Sequence, residues 1–183
     1  HQTIKQHLGK RIREEKNPTS VKQIYDTEHR RNWAYAANRF DPTWARHWRA
    51  QHFIEQLNKY KAKNVVDIGC GAVYPTIFAR AGLVVTAVDI SSECLEQVRE
   101  IAKKWGVENK IKTICSPAQS LPFADNSHDA AMLGEILEHV FDPEKVLEEA
   151  YRVVKPGGVV VASTPLGHHH YDPMHVASAD GGW

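Results

Sequence analysis

Cysteine is scarce: Cys70, Cys94 and Cys115 are the three in a chain of 183 residues. The number is odd and the spacing does not suit a metal-binding pair. Neither a disulfide framework nor a structural zinc module is therefore expected, and the three read as reduced thiols of a cytoplasmic protein. No run of about 18 apolar residues exists, so no membrane span is expected. A secretory leader pattern is missing too, although the chain begins with His1 rather than methionine, which leaves its native start open. Repeats and low-complexity segments are absent. What remains is a chain of ordinary apolar content, long enough for one domain with an appendage.

A large net charge is also lacking, at +1, but the charge is unevenly placed. Residues 1–64 carry 14 Lys+Arg against 6 Asp+Glu, a net +8; the rest carries 9 against 16, a net −7. A basic segment can meet nucleic acid, an anionic membrane or an acidic substrate. It can equally be a solvated face that pairs with the acidic half. No RNA- or DNA-binding motif accompanies the charge, which disfavours nucleic acid as a partner.

Two textures divide the chain. In residues 1–62, Ile4, Leu8 and Ile12 make a thin helical stripe, and "NPTS" at Asn17–Ser20 breaks it and offers an N-cap. A second helix is expected from Val21 to Asn38. A third begins at "DPTW", with Asp41 as N-cap and Pro42 at the first helical position. These aromatic-bearing helices are expected to form a lid on the next domain or a homo-oligomer interface. Tyr25, Trp33, Tyr35 and Trp44 are the residues available to line a pocket.

From Lys63 onward short apolar strands alternate with amphipathic helices: "NVVDI", "PTIFARAG", "LVVTAVDI", "SECLEQVREIAKKWG", "KIKTIC", "HDAAMLGEIL", "PEKVLEEAYRVVKPGG", "VVVAST". Such alternation implies βαβ units and a parallel sheet covered on both faces. Ligands of such sheets bind at the carboxyl ends of the strands.

The chemistry-bearing residues sit at those ends. "VVDIGCG" places Asp67 just before a turn with Gly69 and Gly71, which let backbone approach a ligand closely. A dinucleotide fingerprint needs a third glycine, and none follows. Asp67 would repel a pyrophosphate and suits a cationic ligand. Asp89 ends the next strand, where a carboxylate can accept both hydroxyls of a ribose. It can also be read as a helix N-cap, a role Ser91 could fill equally well. The two acids together point to a nucleoside carrying a positive charge.

These stretches, with "AQSLPFADNSHDAAMLGEILEHVFDPEKVLEEAYRVVKPGGVVVASTP", resemble the class I S-adenosylmethionine-dependent methyltransferases. The pattern is similar to the small-molecule branch that includes ubiquinone-biosynthesis methyltransferases, and it covers about Lys63 to Pro165. The resemblance implies a doubly wound, Rossmann-like, mainly parallel α/β sheet in the order 3-2-1-4-5 and S-adenosyl-L-methionine as cofactor. It implies that Asp67, Gly69, Cys70 and Gly71 cradle the methionine part and that Asp89 holds the ribose. Ile90 would lie against adenine, Ala118 and Gln119 would meet its edge, and Glu135 would stand beside the transfer site. His139 matches an "EH" pair. "KPGG" at Lys155–Gly158 is expected as a helix-to-strand turn. Two positions depart from the family: Val73 replaces a third glycine, and Pro117 replaces an acid before the adenine-contacting alanine. The family's terminal antiparallel hairpin does not fit before Trp183, so it is expected to be missing, with 166–183 a shortened substrate-side loop.

"LGHHHYDPMHV" holds His168, His169, His170, Asp172 and His175. It is open to three readings: a substrate loop with a general base, a metal site, or a solvated loop. Metal is least favoured because no second ligand cluster is evident. His139, His168 and His169 are the catalytic candidates, His170 standing beside them, since histidine exchanges protons near neutral pH. The expected organisation is a helical extension over 1–62, a cofactor-binding core over 63–165 and the loop over 166–183. The expected activity is in-line methyl transfer to oxygen or nitrogen of a small-molecule acceptor, without a membrane partner. The alternatives are a non-catalytic scaffold of the same fold, a macromolecule methyltransferase and a nicotinamide-dependent oxidoreductase.

Overall fold

The structure, a computed structural model, describes residues 17–39 and 48–164. The stripe at Ile4–Ile12, the start of the third helix at Asp41 and Pro42, Trp44, the side chains of Trp33 and Tyr35, and the cluster from His168 to His175 lie outside them. In chain order come α1 (Pro18–Arg39), α2 (Trp48–Lys59), β1 (Asn64–Ile68), α3 (Tyr74–Arg80), β2 (Val84–Asp89) and α4 (Ser92–Lys104). These are followed by β3 (Ile111–Cys115), β4 (His128–Gly134), α5 (Pro143–Val153) and β5 (Val154–Ser163). Single 3₁₀ turns occupy Glu108–Lys110 and Leu137–His139. Among the described residues no helix is long and apolar enough to cross a membrane.

The five strands form one sheet in the order β3-β2-β1-β4-β5, and every neighbouring pair is parallel. The parallel sheet expected from the strand–helix alternation is present, in the order that the resemblance implies. Side chains alternate between two cores, as the strand period of two requires. Val65, Val85, Ala130 and Met132 face one layer, with Phe53 and Leu57 of α2 and Phe78 of α3. Val66, Ile68, Val88, Ala131 and Leu133 face the other, with Val146 and Ala150 of α5. A third small cluster joins Ala87 to Leu95 and Val98 of α4.

Capping residues fix where the helices begin. The Asn17 side chain accepts from the amide of Thr19 at 2.9 Å, and Pro18 follows it. Asp142 caps α5 through the amide of Lys145 at 3.0 Å. Ser91, rather than Asp89, caps α4, accepting from the amide of Cys94 at 3.1 Å. Asp89 is thereby left for other work.

The "KPGG" stretch differs from the turn expected of it. It lies inside β5, where His128 pairs with Val154 and Ala130 with Val159, so five strand residues oppose two. This is an irregularity of the bulge type. Gly157 takes φ +83, and a Cβ on Gly158 would stand 2.4 Å from the carbonyl oxygen of Asp129. Gly158 therefore serves close approach to β4, and Gly157 supplies the left-handed backbone. Lys155 anchors the same place, its ammonium 2.6 Å from the Asp129 carboxylate.

Candidate functional site

A cavity of about 570 Å³ opens at the carboxyl ends of β1, β2, β3 and β4. Its floor is the turn after β1. The amides of Gly69 and Cys70 both donate to the Val88 carbonyl, at 2.8 and 3.0 Å, which ties the turn to β2. Gly69 and Gly71 adopt φ of +67 and +57, the left-handed region that disfavours a side chain. A Cβ on Gly69 would lie 2.2 Å from Cδ1 of Ile136, whereas one on Gly71 would meet nothing within 4 Å. The first glycine is thus required by packing, and the second leaves open space above the backbone. Val73, at the position of the departed third glycine, sits at φ −107 and ψ −44, which any residue adopts without strain.

Asp89 closes one side. One carboxylate oxygen accepts from the amide of Ser91 at 2.9 Å and the other from Gly71 at 3.3 Å. Burial raises its pKa, opposed by those amides and by His29. Ile90 follows it into the wall. Ser116, Pro117, Ala118 and Gln119 form the next side, after β3. The amide of Ser120 donates to the Pro117 carbonyl at 3.2 Å, and the Ser116 hydroxyl to the Ser120 carbonyl at 2.8 Å, so this edge is a closed turn.

The segment after β4 supplies Glu135 and His139. Glu135 has φ +57, unusual for a residue with a side chain and common at functional sites. Its amide donates to Ser163 of β5 at 2.9 Å, and its carboxylate forms an ion pair with Arg49 of α2. Arg49 also donates to the Tyr74 hydroxyl at 3.4 Å. His139 lies in the 3₁₀ turn, its amide held by the Ile136 carbonyl at 2.8 Å.

Asp67 does not line the cavity. It is buried behind the glycine turn, and its Oδ2 has no hydrogen-bond partner among the described residues. Burial first, then the nearby Asp89 charge, pushes its pKa well above the ordinary carboxylate value. The other eight cofactor-contact candidates and His139 converge on the one cavity. His168 and His169 lie outside the described residues.

Tyr25 of α1, one of the aromatics expected to line a pocket, lines the cavity. Other side chains at the site carried no sequence signal, among them His29 of α1, which lines the cavity with a ring nitrogen within 4.8 Å of an Asp89 oxygen. The Tyr25 hydroxyl is held far above its usual pKa by burial and then by the charges of Asp89 and Glu138. Burial opposes the His29 imidazolium, yet hydrogen bonding to Cys94 and the charge of Asp89 outweigh it and raise its pKa to about 9. Asp26 explains why α1 lies where it does. Its buried carboxylate accepts from the Ser91 hydroxyl at 2.7 Å, the Glu93 amide at 3.3 Å and the Lys22 ammonium at 2.6 Å. A negative charge there also suits the N-terminus of the 13-residue α4. Gln97 of α4 donates to the His29 carbonyl at 2.9 Å.

A parallel sheet of order 3-2-1-4-5, with a glycine turn after β1 and an acid ending β2, is the arrangement of class I S-adenosylmethionine-dependent methyltransferases. Residues 66–162, more than half the chain, match the methyltransferase domain family, and the chain belongs to it. It is 36% identical over 122 residues to the ubiquinone/menaquinone biosynthesis C-methyltransferase UbiE of Haemophilus ducreyi, covering 62% of this chain and 45% of that one. It is 36% identical over 118 residues to the ubiquinone biosynthesis O-methyltransferase of Vibrio cholerae, covering 63% and 47%. Among solved structures, the [4+2]-cyclase SpnF superposes with a TM-score of 0.58 at 27% identity, covering 61% of this chain and 42% of that one. The chain thus spans about half the length of the curated relatives it matches.

Proposed function

We propose that this cavity binds S-adenosylmethionine and that the protein transfers its methyl group to oxygen or nitrogen of a small molecule. The observation that carries the reading is Asp89, at the end of β2, aimed by two backbone amides at a cavity floored by open glycine backbone. The residues present fit the cofactor. Asp89 can accept from two ribose hydroxyls, Gly71 leaves room where a Cβ would intrude, and Asp67 offers an unpartnered buried oxygen behind the turn.

When bound, S-adenosylmethionine supplies an electrophilic methyl on a sulfonium, open to in-line displacement. The chain's own residues bind, orient and exclude water. Gly69–Gly71, with the Asp67 carboxyl buried behind them, would hold the aminoacyl end, Ile90 would contact adenine, and Ala118 and Gln119 would meet its edge. Glu135, fixed by Arg49 and its left-handed backbone, stands at the next strand end. His139 on the same wall is the candidate to take a proton from the acceptor. His168 and His169, outside the described residues, remain candidates for that role. Residues 63–165 form the cofactor core in this reading, and the helices of 1–62 its roof, with Tyr25 and His29 facing the cavity. Much of the rate would come from alignment and desolvation, because the sulfonium is already activated.

The relatives are named for transfer to carbon and to oxygen at equal identity, so the target atom falls to experiment. A screen of phenols, amines and carboxylic acids, read by S-adenosylhomocysteine release, tests the activity. His139→Gln is expected to lower kcat while leaving cofactor affinity unchanged. The SpnF likeness favours one second reading, a domain of this fold that does other chemistry or none. Tight nucleoside binding without turnover of any acceptor would select it.

A further inference from the structure

One group of side chains has a second chemistry available. His29 of α1, Asp89 at the end of β2 and Cys94 of α4 each offer a ligating atom, and these atoms all lie within 4.8 Å of one another. We propose that these three residues form a site for a borderline divalent cation of the Zn²⁺ type, and that its occupancy excludes the nucleoside. The exclusion clause rests on the proposed cofactor reading; the metal site itself does not.

The ligand set is one nitrogen, one oxygen and one sulfur, which suits Zn²⁺ and disfavours Mg²⁺ or Ca²⁺. Tetrahedral bonds of about 2.0–2.3 Å put ligand atoms roughly 3.3–3.8 Å apart, so closing the site takes side-chain movements of about 1 Å. The outer contacts are already present. Asp89 is held by the amides of Ser91 and Gly71, and the backbone of His29 is tied to α4 through Gln97. Such partners orient ligands and strengthen metal binding. Cys94 lies on the buried side, while His29 and Asp89 line the cavity. A fourth position facing the cavity is therefore open to water. The amides of Ser91 and Gly71 already occupy one site on each Asp89 oxygen, so a metal ion would take one of the two that remain for the pair of ribose hydroxyls, which makes the two ligands competitive.

Sequence spacing hides the group, because its members come from three elements spread over 65 residues. The metal would replace protons on His29 and Cys94 and release them on binding.

Co²⁺ titration of the intact protein is the test, read by absorbance. A thiolate bound to Co²⁺ gives a near-ultraviolet charge-transfer band, which a histidine-only site cannot give. The band is expected in the intact protein, lost in His29→Gln and in Cys94→Ser, kept in Cys115→Ser, and abolished by one equivalent of Zn²⁺. Circular dichroism checks that each variant is folded, and His29→Gln keeps the test decisive if Cys94→Ser is not. No band in the intact protein, or a band surviving His29→Gln, overturns the site. S-adenosylhomocysteine is then titrated with and without Zn²⁺. A nucleoside affinity lowered at least tenfold by saturating Zn²⁺ supports exclusion, and equal affinity overturns that clause. Nucleoside binding failing without metal would refute the cofactor reading alone, leaving the Co²⁺ band to decide the site.

Discussion

Gly69→Ala and Gly71→Ala form a matched pair that tests the geometry of the turn. Both glycines have left-handed φ, so each substitution costs about 1–2 kcal/mol in backbone energy. Each also removes freedom from the unfolded chain, which returns about 0.4–1 kcal/mol. At Gly71 nothing else is lost, since the new methyl meets open space. At Gly69 the methyl would lie 2.2 Å from Cδ1, 2.8 Å from Cγ1 and 3.0 Å from Cβ of Ile136. Rotating the Ile136 side chain moves the first two atoms but not the third. Overpacking of this kind adds about 1–3 kcal/mol. Urea unfolding is the assay, and with a slope of about 1–3 kcal/mol per molar, Gly69→Ala should lower the midpoint by roughly 1 M more than Gly71→Ala. Measured against Ile136→Ala alone, which carries its own cost, the excess of Gly69→Ala should largely disappear while the cost of Gly71→Ala stays the same. Equal midpoints for the two single variants, or no recovery in the double variant, would refute the packing argument. Nucleoside affinity should show the reverse order, because the Gly71 methyl enters the cavity.

Other consequences follow from named contacts. Asp26→Ala strips an acceptor from the Ser91 hydroxyl and the Glu93 amide, and should cost about 1–3 kcal/mol in thermal unfolding while weakening nucleoside binding through α1. Unchanged stability would mean that α1 is not held this way. Two acids with strongly lowered pKa contribute to the acid limit. Burial opposes ionisation of Asp129, but the amides of Asn64 and Lys63 and the Lys155 ammonium hold its pKa at about 2; the Arg152 guanidinium does the same for Glu149. Folded values below the unfolded ones mean stability present above about pH 4 and lost as pH falls toward about 2, visible as a falling urea midpoint. Asp67 has the opposite sign. Its raised pKa contributes stability below about pH 4, lost as pH rises through the folded value, so Asp67→Asn should gain on the parent protein as pH climbs from 4 to 8. A gain independent of pH would contradict a carboxyl protonated in the fold.

The strands were legible because parallel strands covered on both faces read as short apolar runs. "NVVDI" is β1 residue for residue, and the acid at the end of β2 stands where the run stops. The glycine turn was legible because few residues besides glycine tolerate its backbone. Of the side chains from α1 and α2, Tyr25 was, as an aromatic available to a pocket, and the others were not. Asp26, His29 and Arg49 reach the site only through packing of helices far earlier in the chain, and nothing in their spacing marks them. Glu135 was placed from its strand end, but its left-handed backbone and its ion pair with Arg49 depend on β5 and α2. "KPGG" was misjudged as a turn because glycines that permit a turn also permit a bulge, and only pairing with β4 decides between them.

Calorimetric titration with S-adenosylhomocysteine, on the intact chain and on Asp89→Ala, tests the central claim most directly. Removing two charge-assisted hydrogen bonds of about 1.5–3 kcal/mol each should weaken binding by well over tenfold. Micromolar binding in the intact chain, lost in a folded Asp89→Ala, is the predicted result. No heat in the intact chain, or equal affinity in the variant, would contradict the assignment of this cavity to the cofactor.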